Sequence, residues 1–435
     1  MTKGKHGILL LSLLALGPLT SVNGVHPRDV PPAAEQRLEE DTVPYWLFFS
    51  EGGWAGAESG LGSSSLQVSV RERSEWLRAL SVDVPVGQVQ RLRTLPGVSS
   101  IRPVRRLAVA GPARLPAAPI ASERRLAQGP QAADTLYGDL GPILQGLEIP
   151  AVHQLGFSGT GTRIGILAGH FYPGHSTLRG GPPVAVHDFV EGDEMVEPGP
   201  EDPLGSADQG TGLWSLVSGN LPGTFIGAAP GAGILLARVL SDQDPVGADE
   251  DRWVAGLEWL ESQGARVVLS GVGFRNFEGG GYSAADLNGD VAPATLAADE
   301  AALRGVLVVA PMGNVGPGPR TLASPADGDS VLAVGSVNSV GSTSSFSSRG
   351  PTADGRTKPD LMAPGEGIPV AAGPEDGSLA ETQGIEFAAA LLAGAAALLI
   401  EAYPERGPME VLEALALSAP RTDGSSGLVP RLAPA

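Results

Sequence analysis

Beyond Gly159, short apolar runs alternate with helical segments, and this alternation most limits what the chain can fold into. Ile164-Gly165-Ile166-Leu167 opens the series, and further apolar runs follow at residues 234–240, 267–269, 306–310 and 331–337. Between them, residues 249–263 place Trp253, Val254, Leu257 and Leu260 at helical spacing, and a second helical stretch at residues 294–304 ends on Gly305. Strands that read as unbroken apolar runs are covered on both faces, and strands alternating with helices form parallel sheets through crossover connections. The expected fold class is therefore α/β, a doubly wound parallel sheet in three layers.

The N-terminal third has another character. Residues 1–24 carry Lys3 and Lys5, an apolar run at 8–19, and small or polar residues up to Gly24, with Val22 and Gly24 at the −3 and −1 positions of a cleavage site. That is the pattern of a secretory signal, and the run is too short for a membrane span. The expected destination is the exterior, the periplasm or the cell envelope. Residues 387–400 form a second apolar stretch between Glu386 and Glu401, again short for a span, and are expected to be a buried core helix. The chain divides into the signal at 1–24, a small α+β module at 25–110, a linker at 111–143 rich in Ala, Pro and Arg, a main domain at 144–420 and a tail at 421–435.

Charge separates these parts further. Residues 71–125 hold eleven Arg and four acids, a net +7 in a chain of −19, which leaves −26 elsewhere. A basic module beside an acidic body suggests that the two dock, while the overall acidity argues against a nucleic-acid partner. The chain has no cysteine, which removes disulfides, thiol catalysis and cysteine metal sites, and its six histidines all lie at or before His187.

Three local motifs carry little chemistry. The glycines at 156, 159 and 161 precede the first strand of the series instead of following it, so they read as a turn and not as a dinucleotide cradle. Asp286, Asn288 and Asp290 have the alternating oxygens that suit calcium, but no downstream Glu completes an EF-hand and a polar turn accounts for them. Calcium there is the one cofactor the sequence suggests. His170 and His175 lack a third metal ligand.

Three further segments, in order, carry a resemblance. They are Gly159-Thr160-Gly161 leading into the strand at 164–167, Gln209-Gly210-Thr211-Gly212 opening a helix, and Gly384-Ile385-Glu386 running into the Ala-rich stretch up to Gly394. Between them lie Gly227-Ala228-Ala229-Pro230-Gly231, Met312-Gly313-Asn314, Phe346-Ser347-Ser348-Arg349-Gly350-Pro351 and Asp354-Gly355-Arg356 through Pro364-Gly365. Over most of residues 145–405 the sequence resembles the subtilisin-like serine peptidases, the subtilases.

The resemblance implies a fold and a catalytic triad of Asp, His and Ser, in which serine attacks a carbonyl, histidine takes its proton and the carboxylate orients the imidazole. At the matching positions this sequence has Ala168, Gln209 and Glu386. Asn314 falls where the family places its oxyanion-hole donor. Ser270, Gly271, Val272 and Gly273 fall where an extended peptide would pair by strand addition. A carboxylate at Glu386 suits a helix N-terminus; the alternative is that it repels acidic ligands or engages a basic one, such as the Arg-rich module. The module resembles a subtilase propeptide, which an inactive body would not cleave from itself. The expectation is thus a pseudoprotease that binds a peptide or partner protein. The alternative is a serine endopeptidase or hydrolase of the same family with a non-standard catalytic set, such as Glu386 and His170 acting as acid and base.

Overall fold

A computed structural model describes residues 42–104 and 136–432, apart from residues 63, 179, 201, 203–207, 242–249, 278–279, 374–377 and 420–429. The signal stretch, residues 25–41 and 105–110 of the module, most of the linker, and the tail except residues 430–432 lie outside the described residues.

The N-terminal module is a four-stranded antiparallel sheet of β1 (Thr42–Phe49), β2 (Ser69–Ser74), β3 (Ala79–Pro85) and β4 (Val98–Pro103), in the order β2-β3-β1-β4. Short helices at Ala57–Gly62 and Val89–Leu92 cover one face, where Leu47, Leu80, Val82, Leu61 and Leu92 form a small separate core. Residues of the opposite face, Trp46 and Ala79, are buried in the core of the main body.

The body is built on a seven-stranded sheet of β5 (Arg163–Ala168), β6 (Ala185–Asp188), β7 (Gly233–Arg238), β8 (Val267–Ser270), β9 (Leu307–Pro311), β10 (Leu332–Val337) and β11 (Leu361–Pro364). Its order is β11-β10-β9-β8-β5-β7-β6, and every neighbouring pair is parallel. Side chains divide between the faces with the two-residue period of a strand. Ile164, Ile166, Val267, Leu269, Leu307 and Val309 join the core that holds α1 (Asp208–Ser218) and α4 (Ile385–Ala402). Leu167, Val268, Val308 and Ala333 join the core that holds α2 (Glu250–Ser262) and α3 (Pro293–Leu303). Helices on both faces explain why the strands are apolar throughout, and the architecture is the α/β three-layer arrangement read from the sequence.

The long apolar helix α4 is buried at nearly every position and packs against α1 and β8 to β11. Glu401, near its far end, accepts hydrogen bonds from the backbone N–H groups of Ser158 (2.7 Å) and Gly159 (2.5 Å), so the turn before β5 is tied to it. The same core reaches back to Tyr137 and Leu140, inside the stretch expected to be linker, because these large apolar side chains find room beside Phe225 and Leu144.

Module and body meet through α2. Asp251, fully buried at the head of this helix, accepts from Arg71 (2.8 Å) and from the Ser81 hydroxyl (2.5 Å). Glu258, two turns on, accepts from the Ser74 hydroxyl (2.5 Å) and the Glu75 N–H (3.0 Å). Burial pushes the Glu258 carboxyl above its usual range, against the pull of those donors. Arg102 donates to the Val291 carbonyl (2.5 Å), and the Arg304 guanidinium lies 4.9 Å from the centre of the Trp76 ring. Of these contacts Arg71–Asp251 is the one that joins opposite charges; the others are hydrogen bonds from hydroxyl, backbone N–H and guanidinium groups and a cation–ring contact.

Candidate functional site

The predicted site residues collect at the carboxyl ends of the central strands, where open parallel sheets place their sites. Ala168 ends β5, Ser270 ends the adjacent β8, and Asn314 follows β9 by three residues. Gln209 lies in the first turn of α1 and Glu386 in the first turn of α4, so both helix N-termini face this rim. Gly271 links the positions: a Cβ added there would meet the Ala168 side chain at 3.3 Å, and its carbonyl accepts from Gln209 Nε2 at 3.1 Å.

Glu386 is the centre of the group. Its Oε2 accepts from Asn314 Nδ2 at 3.1 Å. Asn314 uses its other end as well, because its Oδ1 accepts from the Ile385 N–H at 3.2 Å and so caps a free donor of the α4 N-terminus. Burial pushes the Glu386 carboxyl above the ordinary carboxylate range, while its own N–H, Asn314 and Gln209 pull the other way. The side chain is half-buried and keeps an edge towards solvent. Among the described residues, no Lys, Arg or His forms an ion pair with it.

The remaining predicted residues sort unevenly. Ser270 is buried: it accepts from Trp253 Nε1 (2.9 Å) and donates to the Val272 carbonyl (2.7 Å), and the Gly271 N–H is held by the Leu167 carbonyl (2.8 Å). Only Val272 and Gly273 of that four-residue stretch reach the surface. His170 is buried with its Nε2 3.2 Å from an Asp202 carboxylate oxygen, a pairing that does not involve Glu386. The calcium-like residues are engaged locally: Asp286 accepts from the Ser283 N–H and hydroxyl, and Asn288 Oδ1 accepts from the Asp290 N–H. Beside them the guanidinium of Arg356 donates to the Asn288 carbonyl (2.8 Å) and pairs with Asp329 and Asp354, both at 2.7 Å. Among the described residues, no group of three His, Asp or Glu is arranged to hold a metal ion.

The sequence reading missed Asp251 and Glu258 as docking residues. Asp251, at the head of its helix, reads as an ordinary N-terminal acid, and Glu258, two turns on, as a charge on the helix surface.

Comparison with known proteins bears on the same region. The model of the subtilase family of peptidases matches residues 159–431. The chain belongs to the subtilase family. Serine protease AprX of Bacillus subtilis (strain 168) is 31% identical over 212 residues, which are 44% of this chain and 48% of that protein. Subtilisin E of the same organism is 27% identical over 266 residues, 59% of this chain and 60% of its own length. The mouse membrane-bound transcription factor site-1 protease is 36% identical over 128 residues, 27% of this chain and 12% of its length. The chain therefore spans about half to three-fifths of the bacterial relatives. A crystal structure of a cold-adapted subtilisin-like serine proteinase superposes with a TM-score of 0.49 at 25% identity, covering 63% of this chain and 89% of that one.

Proposed function

We propose that this subtilase is a non-hydrolysing member, exported, which retains its N-terminal module and works by binding a peptide or a partner protein. The observation that supports this most is the chemistry of the rim. Where the family places an acid, a base and a nucleophile, this chain has the methyl group of Ala168, the amide of Gln209 and the carboxylate of Glu386. Acyl transfer needs a hydroxyl or thiol beside a base that can take its proton. An amide cannot take that proton, and Glu386 carries no hydroxyl. In subtilisin, loss of the serine or the histidine costs about 10⁶ in turnover, and the rest of the site retains roughly 10³–10⁴ over the reaction in water.

The alternative acid and base pair gains no support, since His170 is buried against Asp202. Asn314, the oxyanion-hole position, is spent on Glu386 and on the α4 N-terminus. Binding remains open to the site through the surface around Val272 and Gly273.

The test uses the purified full chain with a fluorophosphonate probe and with casein. The expected outcome is no labelling and no casein turnover, whereas the Ala168→Asp, Gln209→His, Glu386→Ser triple variant is expected to label at position 386. Labelling of a serine in the unmodified protein, with casein turnover abolished by mutating that serine, would overturn the proposal.

A further inference from the structure

Beyond the open end of β8 the chain gathers cations. Val272 and Gly273, half-exposed, continue into Phe274, whose N–H donates to the Ser324 carbonyl (2.7 Å), and then into Arg275. Arg275 Nη1 donates to the Leu322 carbonyl (2.5 Å). One step along the same segment, the Arg320 N–H donates to the Gly350 carbonyl (3.0 Å) and the Thr321 N–H to the Arg349 carbonyl (2.9 Å). Arg275, Arg320 and Arg349 are thus joined through the short stretch 320–322. That stretch borders Asn314, because the Ala323 N–H donates to the Met312 carbonyl (3.0 Å) and the Ser348 N–H to the Gly313 carbonyl (2.9 Å).

Among the described residues, none of the three arginines forms an ion pair. Arg320 and Arg349 are exposed, while Arg275 is half-buried, and its Nε and Nη2 have no partner there and are not sealed from solvent. Burial pulls the Arg275 guanidinium below its usual range, and no carboxylate offsets it. The acids of the neighbouring loops are engaged elsewhere. Asp327 accepts from the Thr295 hydroxyl and the Gly289 N–H, Asp286 from Ser283, and Asp329 and Asp354 pair with Arg356. Arg320 also stands at φ +56°, in the left-handed region that favours glycine, so its side chain is carried there at a cost to the backbone.

Resting on the reading of a non-hydrolysing, binding member, we propose that Arg275, Arg320 and Arg349 are the recognition surface for an acidic extended peptide. They receive its Asp or Glu side chains while its backbone lies along Val272 and Gly273. The N–H and carbonyl of Gly273 have no partner among the described residues, so they are free to pair with such a strand. A guanidinium meets a carboxylate through two parallel N–H groups, and Nε and Nη2 are the adjacent donors left open on Arg275. In that partly desolvated place a charge partner counts for more than in bulk water. The net charge of −19 opposes an acidic ligand only from a distance. Salt at physiological strength screens exposed charges beyond about 8 Å, so the cations within reach decide.

The experiment is calorimetric titration of the full chain at neutral pH with acetyl-Ala-Glu-Ala-Glu-Ala-amide and with its glutamine and lysine counterparts. The glutamate peptide is expected to bind about tenfold more tightly than either of the others. That advantage is expected to vanish in the double variant Arg320→Gln, Arg349→Gln, whose exposed positions leave the core intact, and to shrink in Arg275→Gln. A glutamate peptide no tighter than the glutamine one, an advantage that survives in the double variant, or absence of binding by every peptide overturns the proposal. Should Arg275→Gln not fold, the double variant decides alone. Fluorophosphonate labelling of the same preparation addresses the underlying reading separately, so the two failures are distinguishable.

Discussion

At the scale of single residues, Glu386 links stability to pH with a definite sign. Its carboxyl is raised in the folded chain by burial, so the native state holds its proton to higher pH than the unfolded state does. Where the native state binds more protons, stability falls as pH rises. The contribution is fully present below the ordinary carboxylate range and is lost as pH passes through the raised value. The difference in denaturant midpoint between the wild type and Glu386→Gln is therefore expected to shift against the wild type as pH rises from about 4 to 7. A pH-independent difference would show that Glu386 titrates normally. Close packing gives a second prediction. A Cβ on Gly210 would run into the backbone carbonyl of His170 and the ring of Phe171. Because a carbonyl fixed by the fold cannot yield, Gly210→Ala is expected to cost about 1–3 kcal/mol in equilibrium unfolding.

At the scale of elements, α2 joins the module to the body. Its inward face fills the core with Trp253, Val254, Leu257 and Leu260, and its acids Asp251 and Glu258 hold the module's β2 and β3. Asp251 is fully buried and its Arg71 partner nearly so. Removing Asp251 takes from Arg71 the nearer and more buried of two carboxylates, the other being Asp83 at 3.5 Å, at a cost of up to about 3–5 kcal/mol. Asp251→Ala is expected to destabilise the protein by roughly that amount in urea unfolding, and the double substitution Arg71→Leu, Asp251→Leu to recover a large part of it. If Asp251→Ala unfolds like the wild type, the contact contributes little to the docking.

The same scale shows which parts of the site the sequence made legible. Ala168, Gln209, Glu386 and Asn314 were found because glycine-marked turns fix their places relative to strands and helices, and those turns are local. The peptide-pairing stretch was legible only in position. Ser270 turns inward to Trp253, and the Gly271 carbonyl is occupied by Gln209, contacts made across 17 and 62 residues of sequence. No spacing rule within the stretch encodes them.

At the scale of the whole molecule, the module and body share one core. Trp46, Ala79 and Val104 from the module are buried with Leu235, Val254 and Val308 from the body. On the proposed non-hydrolysing reading, the body keeps this module covalently attached. Intact mass spectrometry of the protein recovered from the cells that produce it is expected to show the module and body as one chain. Separation of the pure protein into two fragments, unaffected by added protease inhibitors of other classes and abolished by substitutions at the rim, would contradict the non-hydrolysing reading.

The sequence by itself determined the α/β class and five of the seven strands of the main sheet, because apolar period acts over a few neighbouring residues, and its glycine-marked segments carried the resemblance that points to Ala168, Gln209 and Glu386. It also showed a basic segment in an acidic chain. Only the tertiary structure decided what those residues touch: that Asn314 donates to Glu386, that Gln209 donates to the Gly271 carbonyl, that His170 faces Asp202, that Arg356 lies among the calcium-like residues, and that Asp251 and Glu258 receive the module. Each of these contacts joins segments far apart in the chain. Their partners are selected by burial, which makes an unsatisfied charge or amide costly, and burial exists only once the sheet has brought its rims and helices together.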